Sequence, residues 1–267
     1  NVNAQLENCL FRDNSVSNGT ESVQGGALFN TSCTGDVVNC TFIGNYSHYR
    51  GGAAYNDGTA KPVFDGCTFL SNMVGTLVNY GGSAFYAYGT GGAPTLRRCT
   101  FVGNSARYDG GTVVLRYAGT LEDCVLRDNA GGLAIINASK VITVRNCRFI
   151  RNVQTQNSYG LGINCQNSHA IVSDCAFVGG SARTKGGALR VSGSGYTMTA
   201  DDCLFVDNFA GDGGGAAFLQ NSARGLFRNC VFAGNRGHQN GGGTLALETS
   251  ARAALTNCLL VGGVALR

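Results

Sequence analysis

A cysteine returns along this chain every 23 to 32 residues, at Cys9, Cys40, Cys67, Cys99, Cys124, Cys147, Cys175, Cys203, Cys230 and Cys258. A sequence that resembles itself at a spacing of roughly 20–50 residues builds a stacked architecture, because one unit cannot bury its own apolar face. Which architecture is set by the residues around each cysteine. Two positions later stands Phe or Leu in all ten units: Phe11, Phe42, Phe69, Phe101, Leu126, Phe149, Phe177, Phe205, Phe232 and Leu260. A separation of two places both side chains on one face of a strand. Three positions earlier every unit is apolar, from Leu6 and Val37 to Phe227 and Leu255, and the two positions between are mostly polar. The order in, out, out, in describes a bent strand and does not fit the 3.6-residue period of helical repeats.

Two further columns complete the unit. Asn stands five residues after the cysteine in eight units, at Asn14, Asn45, Asn72, Asn104, Asn129, Asn152, Asn208 and Asn235. It is expected to occupy the left-handed region of a tight turn and to form a hydrogen-bonded side-chain ladder along the stack. A glycine pair follows, as at Gly25-Gly26, Gly51-Gly52, Gly186-Gly187 and Gly214-Gly215, and then a short apolar run that supplies another strand. The expected fold is all-β, a parallel β-helix of about ten coils with roughly 28 residues each, residues 1–267 forming one domain. Pro62 and Pro94 each fall five residues before a cysteine, where the strand has not yet begun. With no initiator Met and no leader, the chain reads as a mature product or a piece of a longer repeat protein.

Composition removes several functional classes. Of 267 residues, 20 are Lys or Arg and 16 Asp or Glu, a net charge of +4, so no nucleic-acid footprint is expected. No apolar run reaches the ~18 residues of a membrane-spanning helix. No CxxC occurs, and His48, His169 and His238 are scattered, so no zinc or other cofactor is expected.

The columns also carry the candidate chemistry. Inward cysteines stack as a file of buried thiols; the alternative is a disulfide framework drawing on Cys33 and Cys165, which lie outside the column, with Cys40, Cys147 or Cys175. Asp65, Arg97, Glu122 and Arg145, and later Asp201 and Arg228, alternate in sign at one outer position and form an ion-pair ladder. Asp201-Asp202 is the one motif suggestive of paired-carboxylate glycoside chemistry. Thr41, Thr68 and Thr100 form a short outer threonine row that strand propensity accounts for. Eight of ten tyrosines lie between Tyr46 and Tyr117, and Tyr80, Tyr86 and Tyr88 mark a flank that either binds a glycan or partner or packs inserted turns. Glycosylation sequons occur at Asn18, Asn30, Asn39, Asn45 and Asn137, best placed at Asn18, Asn30 and Asn137, and favour an extracellular or cell-surface setting.

The units resemble the polymorphic outer-membrane-protein repeat, marked by Phe-x-x-Asn and Gly-Gly-Ala-Ile/Leu/Val. Phe-x-x-Asn occurs seven times, first at Phe11/Asn14 and last at Phe232/Asn235; Gly-Gly-Ala-Leu occurs at Gly25 to Leu28 and Gly186 to Leu189. The resemblance implies a right-handed, pectin-lyase-like β-helix in a surface protein or adhesin, and similar arrays look like parts of large surface proteins in algae and other protists, which implies a flagellar-hair-type or cell-wall glycoprotein as one form of it. It carries over no catalytic residues. A non-enzymatic extracellular structural or adhesive module is therefore expected, its partners other chains of a surface assembly, the remainder of its own chain, or glycans. The alternatives are a polysaccharide lyase or hydrolase, and a glycan-binding module without turnover.

Overall fold

In a computed structural model the chain winds as a parallel β-solenoid. The structure describes residues 5–17, 23–75, 81–89, 91–106, 111–138, 140–154, 160–238 and 241–266. Each coil contributes to three long sheets. The first sheet has ten strands, Leu6–Glu7 through Arg252–Thr256, each ending just before a cysteine of the column. The second, also ten-stranded, runs from Leu10–Arg12 to Leu259–Val261 and begins just after it. The third has nine strands, from Leu28–Thr31 to Leu245–Leu247, each following a glycine-containing turn. Two-residue and three-residue strands after the Asn column form two smaller sheets. Pro62 and Pro94 directly precede the strands Val63–Asp65 and Thr95–Arg97, and their carbonyls accept from Thr95 and Thr120.

The cysteine period fixes the register, so like sits over like. Phe11, Phe42, Phe69 and Phe101 pair in sequence across neighbouring strands. Their rings stack nearly parallel at 4.7, 4.8 and 4.8 Å between centroids. Leu126 interrupts the file, which resumes from Phe149 through Phe177 and Phe205 to Phe232. Beside it runs the thiol file, whose members from Cys40 to Cys230 are buried. Burying one such aromatic side chain is worth about 1.5–3 kcal/mol and a stacked pair about 0.5–1.5 more, so coil-to-coil cohesion is built into one repeated column. Leu255 and Leu260 keep this register with Phe227 and Phe232 and are exposed.

The Asn column does only half of what its chemistry suggested. The ladder is present, but these residues are not the left-handed ones. Positive φ falls one residue earlier, on Asp13, Gly44, Ser71, Gly103, Asp128, Arg151, Gly179, Asp207, Gly234 and Gly262, and again just before each cysteine, from Asn8 and Asn39 to Asn229 and Asn257. Each coil therefore turns on two left-handed corners flanking the second sheet. The corner at the fourth position after cysteine points the next side chain, Asn, back into the stack, where it is buried in every coil from Asn45 to Asn235 that carries it. There Nδ2 of Asn72 donates to Phe42 O and Asn104 Oδ1, both at 3.0 Å, and its Oδ1 accepts from the amide and backbone N–H of Asn45. All four hydrogen-bonding capacities are used, which explains why Asn follows Phe at a fixed distance. In the glycine pairs a second demand applies: a Cβ on Gly26 would lie 2.2 Å from Gly52 O, so the backbones of neighbouring coils approach too closely for a side chain there.

Candidate functional site

Asp65, Glu122 and Asp201 are each engaged by an arginine one coil away. Asp65, Arg97, Glu122 and Arg145 lie in one register row on the outside of the first sheet. Asp65 is clamped by two guanidiniums, Arg97 at 2.8 Å and Arg98 at 2.5 Å, and Glu122 is paired with Arg145. Both oxygens of Asp201 accept from Arg228, from Nε at 2.6 Å and from the second nitrogen at 2.8 Å, while Asp202 occupies a left-handed corner. An open hollow on this side is lined by Glu122, Asp123, Arg145, Asn146 and Asp174, and Asn146 donates to Asp123 at 2.6 Å. This arrangement holds coil to coil. The exposed pairs Glu122–Arg145 and Asp201–Arg228 are screened by solvent and set register and solubility more than stability, whereas the Asp65 carboxylate is buried under its two guanidiniums.

The tyrosine flank divides in two. The middle residues of the third-sheet strands, Phe29, Tyr55, Tyr86, Val114 and Ala134, form one file. Strand alternation aims them outward, yet Tyr55 and Tyr86 are fully buried, in a second apolar cluster with Val114, Ala134 and Ile136. Tyr86 is thus a packing residue and not an exposed binding residue; burial pushes its hydroxyl pKa up, as it does for Tyr55. Tyr88 is half-buried, and Tyr80 lies outside the described residues. Around Tyr88 stand two residues that periodicity did not single out. The Arg50 guanidinium lies 4.4 Å from the Tyr49 ring, 5.2 Å from Tyr86 and 5.7 Å from Tyr88. The Arg116 guanidinium lies 5.1 Å from Tyr88 and 6.0 Å from Tyr117, and donates to the Tyr86 hydroxyl at 3.5 Å. The one sequence signal was their place beside the tyrosines, which the cysteine alignment does not weigh.

All twelve cysteines are free thiols. Of the proposed bridge formers, Cys40, Cys147 and Cys175 belong to the buried column, whereas Cys165 sits in the third sheet between Ile135 and Val191. Cys33 is half-buried and donates to its neighbour Thr31 O at 3.5 Å. Burial raises the Cys40 and Cys99 thiols and pushes Cys165 up to about 12. The sequons differ in reach. Asn45 is sealed in the ladder, Asn30 is half-buried with its amide on Asn56 at 3.0 Å, and Asn39 and Asn137 are exposed at positive φ. Asn18 lies outside the described residues. Among the described residues no group of His, Cys, Asp or Glu is arranged to hold a metal ion, and no helix is long and apolar enough to cross a membrane.

Sheet order, register and the polar ladder describe a β-helix, and the comparison with known families agrees: the right handed beta helix region matches residues 76–213, just over half the chain. The chain belongs to that family. Within this right-handed β-helix, residues 39–57 also match the Chlamydia polymorphic membrane protein repeat. That stretch holds Phe42, Asn45 and Gly51-Gly52, the elements on which the resemblance was based. No curated protein and no solved structure matches the chain.

Proposed function

We propose that this right-handed β-helix is a non-enzymatic, extracellular structural or adhesive module of a surface protein. The observation that carries the reading is the engagement of its outer carboxylates: Asp65, Glu122, Asp128 and Asp201 are each tied to a guanidinium of a neighbouring coil. A carboxylate whose oxygen is already engaged by the guanidinium of a neighbouring coil would have to break that pair before it could meet a substrate. The inward columns are committed as fully, the thiol, phenyl and Asn files all serving coil-to-coil contact. The polymorphic membrane protein repeat at residues 39–57 supports a surface setting, and the exposed sequons Asn39 and Asn137 are compatible with it.

A polysaccharide lyase or hydrolase is the competing function, and it is separable by direct assay. The chain is incubated with a panel of uronans and neutral glycans, and new reducing ends and unsaturated products are followed. No turnover is expected above a heat-treated control. Turnover that disappears in Asp201→Asn or Asp202→Asn would replace the structural reading with a catalytic one.

A further inference from the structure

We propose that the face formed by Arg50, Tyr88 and Arg116, with Tyr49 and Tyr117 beside it, binds a segment of an anionic polysaccharide bearing carboxylate or sulfate groups. The proposal rests on the reading of the chain as a surface module and names the ligand class that such a module would hold.

Charge comes first. Arg97, Arg98, Arg127, Arg145, Arg151 and Arg228 have carboxylate partners, and the exposed Arg12, Arg148, Arg224, Arg236 and Arg252 have no carboxylate partner among the described residues, so what sets Arg50 and Arg116 apart is their setting. Among the described residues no carboxylate lies within ion-pair range of Arg50 or Arg116. Their surroundings are aromatic instead, and the Nε atoms of both are buried without a hydrogen-bond partner. Each guanidinium is thus seated among tyrosine rings with its Nε sealed from water while the residue as a whole stays half-exposed, and Arg116 gives one terminal nitrogen to the Tyr86 hydroxyl. Asp57, at the end of the strand that carries Tyr55, accepts from the Gly58 N–H at 2.6 Å. A guanidinium fork fits a carboxylate or a sulfate with two parallel hydrogen bonds, and it is stronger where water is partly excluded.

Shape comes second. Tyr49 and Arg50 belong to the second coil, Tyr88 to the third, and Arg116 and Tyr117 to the fourth. The face is thus a stripe two coil spacings long, about 10 Å at ~4.8 Å per coil. Tyr55 and Tyr86 stack beneath it at 5.5 Å, and Tyr88 meets Tyr117 edge-on at 5.8 Å. Tyr117 is held at φ 78, a conformation bulky residues rarely adopt. Half-buried ring faces with cations at both ends of the stripe suit a ligand that alternates apolar ring faces with regularly spaced anions. A polysaccharide of charged sugars does so.

The test is titration calorimetry of the whole chain with galacturonate oligomers, dextran sulfate, uncharged dextran and poly-glutamate, at low and at high salt. Binding of the galacturonate oligomers or dextran sulfate is expected, weaker at high salt, and the stronger of the two identifies the anion. Arg50→Gln and Arg116→Gln should each weaken it at least fivefold, and Tyr88→Leu similarly. Arg116→Lys, which keeps the charge and loses the fork, should fall between. Arg252→Gln, at an exposed site in the last first-sheet strand, should leave affinity unchanged. Thermal melts accompany every variant; where one fails to fold, the remaining variants decide. No binding of either acidic polysaccharide, equal binding of dextran, equal or tighter binding of poly-glutamate, or full affinity in the Arg50→Gln/Arg116→Gln double variant would each overturn the proposal. Product release in the same mixtures is read separately. Binding with turnover defeats the non-enzymatic reading and leaves the site standing, whereas loss of binding does the reverse.

Discussion

Asn72 accepts two hydrogen bonds from Asn45 through one side-chain oxygen, from the backbone N–H at 3.0 Å and from the side-chain amide at 2.9 Å. The same geometry recurs between Asn72 and Asn104, and between Asn104 and Asn129. Because each amide is buried, losing one member strands the donors of the member before it, with no water to replace the acceptor.

Asn72→Ala should therefore cost about 2–4 kcal/mol, the penalty of leaving buried donors unpaired added to the lost bonds. Asn14→Ala, at an exposed member of the ladder, should cost under about 1 kcal/mol, because its donors to Asn45 Oδ1 lie where water can replace a lost bond. Urea midpoints of the two variants decide; equal losses would mean that the ladder does not act as a buried network.

The coil that carries Gly180 in place of Asn gives a second test. Its backbone N–H still donates to Asn208 Oδ1 at 3.0 Å, so the ladder accepts glycine there without stranding Asn208. A Cβ at this position would lie 2.7 Å from Gly187 O and 3.1 Å from Asn208 Oδ1. Gly180→Asn restores the repeat pattern on paper but should destabilise by about 1–3 kcal/mol through overpacking. A melting temperature above that of the parent chain would show that the local backbone can yield.

The columns that face inward were legible, because a side chain aimed at a neighbouring copy of itself is confined to one size and chemistry. The Cys file, the Phe file and the in, out, out, in pattern ahead of each cysteine all obey this. The left-handed corners were not legible. Asp13, Gly44, Ser71 and Arg151 share one backbone conformation and no common side chain, since at a corner exposed to solvent several residue types reach positive φ. The Asn one residue on was conspicuous for packing and drew the turn assignment away from its true position. The tyrosine flank was left open between binding and packing for another reason: alternation says which way Tyr55 and Tyr86 point, not whether something covers them. For the same reason Arg50 and Arg116, whose importance lies in what surrounds them, left little trace in any column.

Thiol accessibility separates a reduced file from a bridged framework. Cys9, Cys33 and Cys258 are half-exposed and the other nine cysteines are buried. Burial also holds Cys40, Cys99 and Cys165 in the unreactive protonated form by raising their pKa values. Iodoacetamide applied to the folded chain should label at most three positions, and all twelve in denaturant without reductant. Mass spectrometry counts the adducts. A denatured count two or more short of twelve would reveal a bridge.

Acid should weaken the stack through Asp128. Arg151, in the next coil, donates to its two oxygens at 2.9 and 3.0 Å, and Arg127 adds a bond at 3.0 Å. The Arg151 guanidinium, with that of Arg127, holds the Asp128 carboxyl below the ordinary carboxylate range. A carboxylate depressed in the folded chain binds fewer protons there than in the unfolded chain. Its contribution is therefore complete above the unfolded value of roughly 3.9 and is lost as pH falls through the lower folded value. The pair is partly exposed, so the contribution is small and screened by salt. In Asp128→Asn the stability curve should fall less steeply below about pH 4 than in the parent chain, and the two should converge at the acid end. Chemical denaturation at a series of pH values measures it. Parallel curves for the two proteins throughout that range would show that the Asp128 to Arg151 contact does not form in solution.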